Sequence, residues 1–201
     1  MYTPRPSYLR RRMIQVGPHR IGETALAPMA AITNAPFRAI CKAHGCGLTV
    51  TEMVSAEAIV RNAKKTRVRM DRAAGEEILS VQLFGGTPAV MAEATRVAQD
   101  AGADIVDVNM GCPVRKISGG GAGVALMREP SRAAAIVEAM VRVSRVPVTV
   151  KLRAGWDDSS VNAPEVARAV EQAGAALIAV HARTRDQVHA GEARWEVIGA
   201  V

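Results

Sequence analysis

The sequence predicts an α/β protein built as a (β/α)8 TIM barrel, incomplete here, with about six of the eight βα units present. Three observations carry that reading. Apolar runs rich in β-branched residues alternate with helical stretches along the chain. Glycine-centred joints recur where helices should hand over to strands. Polar residues gather at the carboxyl ends of four different strands, as a barrel site requires.

The strand candidates are residues 24–29, 48–53, 78–84, 104–110, 146–153 and 176–181. Thr87-Pro88 supplies an N-cap and a first-turn proline, ahead of an apolar face at Val90, Ala94, Val97, Ala98 and Ala101. Ala133, Ile136, Val137, Met140 and Val141 make a second such face. Asn162 with Glu165 resembles a capping box before Val166, Ala169, Val170 and Ala173. His44-Gly45-Cys46-Gly47, Ala101-Gly102-Ala103 and Ala173-Gly174-Ala175 each end a helix and launch a strand, the glycine supplying a left-handed cap. Repeated βα units demand a parallel sheet, either doubly wound or closed as a barrel. The layout is then a basic segment over 1–20 leading into a partial barrel over 21–201.

Strand ends decide between the two. Gln82, Asn109, Lys151 with Arg153, and His181 stand at or near four carboxyl ends. Their neighbours of opposite parity, Val81, Leu83, Val108, Val150, Leu152 and Val180, suit packing against outer helices. Polar groups therefore converge on the inside, which favours the barrel.

The chain has 201 residues, 49% of them hydrophobic, which is ordinary for one globular domain. No apolar run approaches the roughly 18 residues a membrane span needs, and no apolar block follows the early arginines as in a signal peptide. A cytoplasmic protein with no membrane association is expected. Three cysteines, at 41, 46 and 112, are too few and too scattered for a disulfide framework. Cys41 and Cys46, with His44 between them, have no second pair to complete a metal site, so no metal is expected. The net charge of +7 favours a polyanionic partner. Basic residues cluster at Arg5, Arg10, Arg11 and Arg12, and again at Arg61, Lys64, Lys65, Arg67, Arg69 and Arg72. With aromatics at 3%, a phosphate-contact surface is a better expectation than a stacking platform.

The stretch 108–123, "VNMGCPVRKISGGGAG", holds a cysteine just past a strand and then a run of glycines. It contains neither G-x-x-x-x-G-K-[ST] nor G-x-G-x-x-G between strand and helix, so a phosphate loop is not indicated. The glycines would let backbone pass close to a bulky ligand or form a flexible lid. For Cys112, spacing leaves open a nucleophile paired with His181, another chemical role, or a buried structural thiol.

The chain resembles the tRNA-dihydrouridine synthase family, nearest the bacterial DusB type. The resemblance rests on "LAPMAAITNAPFR" (26–38), "TEMVSAEAI" (51–59), "VQLFGGTP" (81–88), "DVNMGCPVRKISGGGAGVALMREP" (107–130), "VPVTVKLRAGWDD" (146–158) and "AVHARTRDQVHAGEARWEVI" (179–198). It implies an FMN-dependent barrel that reduces a uridine of the tRNA D-loop to 5,6-dihydrouridine, with NADPH as electron donor and tRNA as partner of a monomer. By position, Pro28, Met29 and Ala30 would lie against the flavin, and Gln82 would bond its pyrimidine edge. Lys151 would sit by flavin N1 and O2, His181 would contact the ring system, and Asn109 and Arg153 would help hold flavin and uracil. Cys112 would give a proton to uracil C5 after hydride reaches C6. Family members continue into two further strands and a helical tRNA-binding domain, which the resemblance places beyond residue 201. The alternatives are another flavin barrel, such as a dihydroorotate dehydrogenase, and a non-catalytic RNA-binding remnant.

Overall fold

The computed structural model describes residues 13–201, the side chains of Lys64 and Lys65 excepted. Arg5, Arg10, Arg11 and Arg12 lie outside the described residues. The first element is an antiparallel hairpin, β1 (Met13–Val16) and β2 (His19–Gly22). It occupies part of the segment read only as a basic lead-in. Its turn needs Gly17 at φ +56°, where a side chain would also run into Pro147.

The predicted strands then follow in order, all pairing parallel. β3 (Ala25–Leu26) pairs with β4 (Leu48–Thr49), and Val50 bridges to Ser80. A short β5 (Val54–Ser55) pairs with the far end of β6 (Ser80–Phe84), so the expected strand 48–53 is a broken one. β7 (Ile105–Met110), β8 (Val148–Gly155) and β9 (Leu177–Thr184) complete a five-stranded sheet in the order β5-β6-β7-β8-β9. Because order in the sheet equals order in the chain and the sheet does not close, this is the wall of an incomplete α/β barrel.

Eight helices punctuate the described strands: α1 (Ala35–Ala43), α2 (Ala56–Val60), α3 (Lys64–Arg67), α4 (Pro88–Asp100), α5 (Arg115–Ser118), α6 (Pro130–Val143), α7 (Ala163–Gln172) and α8 (Trp195–Ala200). Two 3-10 turns, Val68–Met70 and Gly123–Arg128, join them. Glycine ends the helices as expected. Gly45, Gly102 and Gly174 all have φ between +87° and +100°, and the N–H of the following residue reaches back to Cys41, Ala98 and Val170. The helix starts are less uniform. Asn34 caps α1 by accepting from the Phe37 N–H at 3.1 Å. The expected capping box at Asn162 does not form. Its side chain turns away and donates to the Met127 carbonyl at 2.7 Å, because tying two loops together outcompetes the local cap.

The main core lies between the outer face of the sheet and α2, α4, α6 and α7. Val81, Leu83, Val108, Val150 and Leu152 meet Met91, Ala98, Ile136, Met140 and Val166 there, all without exposure. Each large side chain removed from water in this way contributes roughly 1.5–3 kcal/mol. A second, smaller cluster sits under the amino ends of the strands. Val16 and Ile21 of the hairpin pack on Leu48, Val50 and Ile105, with Ile78 and Leu177 alongside. The outer face and the floor are thus sealed, and the polar inner face of the strands is left to build a site.

Candidate active site

In-register pairing sets Gln82 beside Asp107, Asn109 beside Lys151, and Arg153 beside His181. The parity expected for these residues is therefore the parity observed, and it delivers them to the inner face. Three of them join in a continuous hydrogen-bonded line. Thr149 Oγ1 donates to Asp107 Oδ1 at 2.5 Å, and Gln82 Nε2 donates to Asp107 Oδ2 at 2.7 Å. Asn109 Nδ2 donates to Gln82 Oε1 at 2.9 Å. Asn109 Oδ1 in turn accepts the N–H of Cys112 at 2.9 Å and of Gly111 at 3.3 Å. Gln82, Asp107 and Asn109 are all buried.

Asp107 and Thr149 were not singled out from the sequence. A signal was present: Asp107 is a carboxylate in the middle of an apolar strand, two residues before Asn109 and so on the same face. Such a group is tolerated only where partners meet it. Burial raises the Asp107 carboxyl above its usual range, and the bonds from Thr149 and Gln82 and the charge of Lys151 oppose that.

Lys151 is half-buried, and burial lowers its ammonium to about 8, with Asp107 pulling the other way and Arg153 adding to the fall. His181 is lowered to about 4, first by burial and then by Arg153, Lys151, Arg183 and His189. Its ring stacks on His189 at 5.8 Å, and its Nε2 lies 3.2 Å from Arg183 Nη1. At neutral pH the ring is uncharged within a group of cations. Arg153 is 3% exposed and uses its guanidinium to tie the loops: Nε donates to the Gly111 carbonyl, and Nη1 to those of Thr184 and Val188. Burial lowers the Arg153 guanidinium, with Cys112 opposing the fall and Arg183 adding to it.

Pro28, Met29 and Ala30 form the rim just past β3, with Met29 37% exposed. Thr33 holds Met29 through both its N–H and its carbonyl, and Glu52 accepts the N–H of Ala31 at 2.6 Å. Between β4 and β5, Met53 Sδ lies 3.9 Å from Asn109 Nδ2. The rim is thus continuous with the inner face through Glu52 and Met53.

The glycine run is ordered by packing against protein rather than left loose. Gly123, at φ +59°, lies against the backbone of Cys112, and Gly121, at φ +74°, lies against the Arg132 guanidinium. Beyond it Trp156 is flanked by Arg128 at 4.9 Å and Arg185 at 4.7 Å. Two hollows share this ridge: one of about 410 Å³ with Asp157 and Asn162, one of about 340 Å³ with Gly119 and Gly121. Neither is lined by Lys151 or His181. The bonded inner-face residues form the candidate site. Among the described residues no cluster suits a metal ion, and no helix is long and apolar enough to cross a membrane.

A family model described as "Dihydrouridine synthase (Dus)" matches residues 25–201, the stretch that contains every residue of this site. The chain belongs to the dihydrouridine synthase family. It is 47% identical over 176 residues to a "Probable tRNA-dihydrouridine synthase" of Rhizobium leguminosarum bv. phaseoli, covering 88% of this chain and 55% of that protein. It is 43% identical over 190 residues to "tRNA-dihydrouridine synthase B" of Pseudomonas aeruginosa, covering 94% and 57%. A "Probable tRNA-dihydrouridine synthase" of Rickettsia prowazekii is 42% identical, with 94% and 58% covered. The DusB-type resemblance stands on these relatives, and the chain spans little more than half of their length. Within the family frame, the basic residues divide. Arg72 sits at the amino ends of the strands, bonded to Asp104 Oδ2 at 2.8 Å and to three backbone carbonyls. Arg115, Lys116 and Arg128 instead lie on the loop that follows Cys112.

Proposed function

We propose that the whole protein reduces a uridine of the tRNA D-loop to 5,6-dihydrouridine in the cytoplasm, as a monomer that uses FMN and takes electrons from NADPH. The observation that supports this most is the fixing of Cys112 at the end of β7 by Asn109, with Lys151 and His181 on the next two strands.

The residues fit a flavin. Lys151 Nζ makes one hydrogen bond among the described residues, a 3.3 Å contact to the Leu152 carbonyl, so donors remain for an edge that gains negative charge on reduction. His181, neutral at pH 7, can face an aromatic ring without adding charge. Met29 offers an exposed, polarizable side chain at the rim. Pro28 and Ala30 flank it, and Gln82, which keeps one amide hydrogen beyond its bond to Asp107, would meet the pyrimidine edge.

Held by Lys151, His181 and Gln82, FMN would supply the hydride that uracil C6 accepts. Cys112 gives its thiol proton to C5, which balances the addition across the C5–C6 bond. The sulfur left behind then regains a proton from solvent, which closes the cycle. Asn109 and Arg153 hold the loop that carries the thiol, so the acid is positioned before substrate arrives. The uridine must leave its stack to reach this face, and the basic loop after Cys112 offers the RNA backbone its counter-charge.

In the full-length protein, Cys112→Ala should keep bound flavin and its reduction by NADPH while dihydrouridine formation falls roughly 100-fold or more. Normal turnover in that variant overturns the acid role. A visible spectrum without flavin bands, even after FMN is added, overturns the flavin reading and favours an RNA-binding remnant.

A further inference from the structure

Asp107 is buried, it does not touch the Cys112 loop, and the proposed reaction has no use for its charge. Its position gives it another role. Both carboxyl oxygens of Asp107 accept, from Thr149 Oγ1 and Gln82 Nε2, and the N–H groups of Gly111 and Cys112 only donate. Between these fixed ends stand two carboxamides, Gln82 and Asn109, each of which could be turned either way. Only one combination avoids a like-with-like contact. Gln82 must point its Nε2 at Asp107, so its Oε1 faces Asn109. Asn109 must then offer Nδ2 to Gln82, so its Oδ1 faces the two backbone N–H groups. Turning either amide would set oxygen against oxygen or donor against donor in a buried place, at the cost of unmade hydrogen bonds.

We infer that Asp107 is a positioning residue, which sets the direction of the Gln82 and Asn109 amides and thereby holds the Cys112 turn in place. Its importance for turnover rests on Cys112 being the acid, but the positioning itself does not. The alternative is that Asp107 only staples β7 to β6 and β8 through Gln82 and Thr149. That role would end at the strands and leave the loop unaffected.

Two substitutions separate these. Asp107→Asn keeps an acceptor for Gln82 and can give its amide to Thr149, whose hydroxyl is free to rotate, so the direction of the line survives. Asp107→Leu keeps similar volume and removes the acceptor. The measurement is backbone amide exchange at Gly111 and Cys112 in the full-length protein, with Val108 within β7 as internal reference. Alkylation of the Cys112 thiol by iodoacetamide in a Cys41→Ser, Cys46→Ser background gives a second reading. In Asp107→Leu, exchange at Cys112 should rise roughly tenfold relative to Val108, and alkylation should change with it. In Asp107→Asn both should stay within about twofold. Unchanged exchange in Asp107→Leu overturns the inference, as does an equal rise in both variants. Should Asp107→Leu fail to fold, Gln82→Met breaks the line one link further on with the Asp107–Thr149 bond intact. The same rise is then expected, and its absence overturns the inference equally. None of these readings needs turnover, so failure of the dihydrouridine assignment would leave them interpretable.

Discussion

A Cβ added to Gly123 would stand 2.9 Å from the carbonyl oxygen of Cys112 and 3.2 Å from its Cβ. That same carbonyl accepts the N–H of Val124 at 3.1 Å. The cysteine is therefore strapped from behind by the far end of the glycine run, while Asn109 holds its N–H in front.

Gly123→Ala should strain the strap, since it adds both a close contact and a left-handed φ of +59° on a residue with a side chain. A loss of about 1–2 kcal/mol is expected, read as a melting temperature lower by about 2–8 °C. Gly120→Ala is the comparison, because its Cβ would meet only ordinary contact, with the Ile117 carbonyl at 3.5 Å. A thermal melt in which both variants behave alike would contradict the strap.

Lys151 should make stability depend on pH in an unusual direction. Its folded value of about 8 lies below the ordinary 10.5, so between those values the unfolded chain binds more protons and stability rises with pH. Below about 8 the full penalty of burying the ammonium is present. Lys151→Met should therefore raise the melting temperature at pH 7, and the gain should shrink as pH climbs from about 8 toward 10.5. A gain that is independent of pH would rule this out.

Arg38 and Glu76 form an ion pair at 2.7 Å with side chains 1% and 0% exposed. Glu76 also accepts from Thr49 and from the Ala73 N–H, while Arg38 donates to the carbonyls of Thr33 and Asp71. Burial alone would raise the Glu76 carboxyl, but these bonds win and hold it below its ordinary value. Arg38→Met leaves a buried carboxylate without its cation and should cost about 3–5 kcal/mol. The wild-type pair stabilises above the ordinary carboxylate range and is lost as pH falls through it, so urea titrations should show the variant's deficit narrowing in acid.

Arg128 stacks on Trp156 beside the glycine run, and under the proposed function it is a candidate contact for tRNA phosphate. Arg128→Glu should weaken tRNA binding roughly tenfold and lower the salt slope by about one or more. Arg72→Gln, at the opposite ends of the strands, should leave affinity within about twofold. Anisotropy titrations at two salt concentrations check both, and equal losses would place the RNA elsewhere.

Much of the fold was legible because βα repetition writes itself twice, in strand parity and in the glycines that end helices. Gln82, Asn109, Lys151, Arg153 and His181 reach the inner face through that parity alone. The rest was not local information. The Met13–Gly22 hairpin is a short apolar alternation whose partners, Leu48, Ile105 and Leu177, are far away in the chain. The glycine run read as a lid because its close neighbours, Cys112 and Arg132, become neighbours only after folding. Asn162 read as a cap because the competing carbonyl of Met127 comes from another loop. The role proposed for the cysteine comes only from the resemblance, since spacing says nothing of the Asn109 acceptor that holds its N–H.

The hairpin under the strands has a consequence for the order of assembly. Its apolar residues Val16 and Ile21 complete a cluster that includes Leu177 at the start of β9. During synthesis the strands can pair one after another as they emerge, each with its immediate predecessor, over short closures. The hairpin's cluster is complete only once Leu177, at the start of the last described strand, packs against it. Residues 13–22 are thus expected to be among the last to settle, so that a nascent barrel keeps an open base until its Lys151 and His181 strands are both in place.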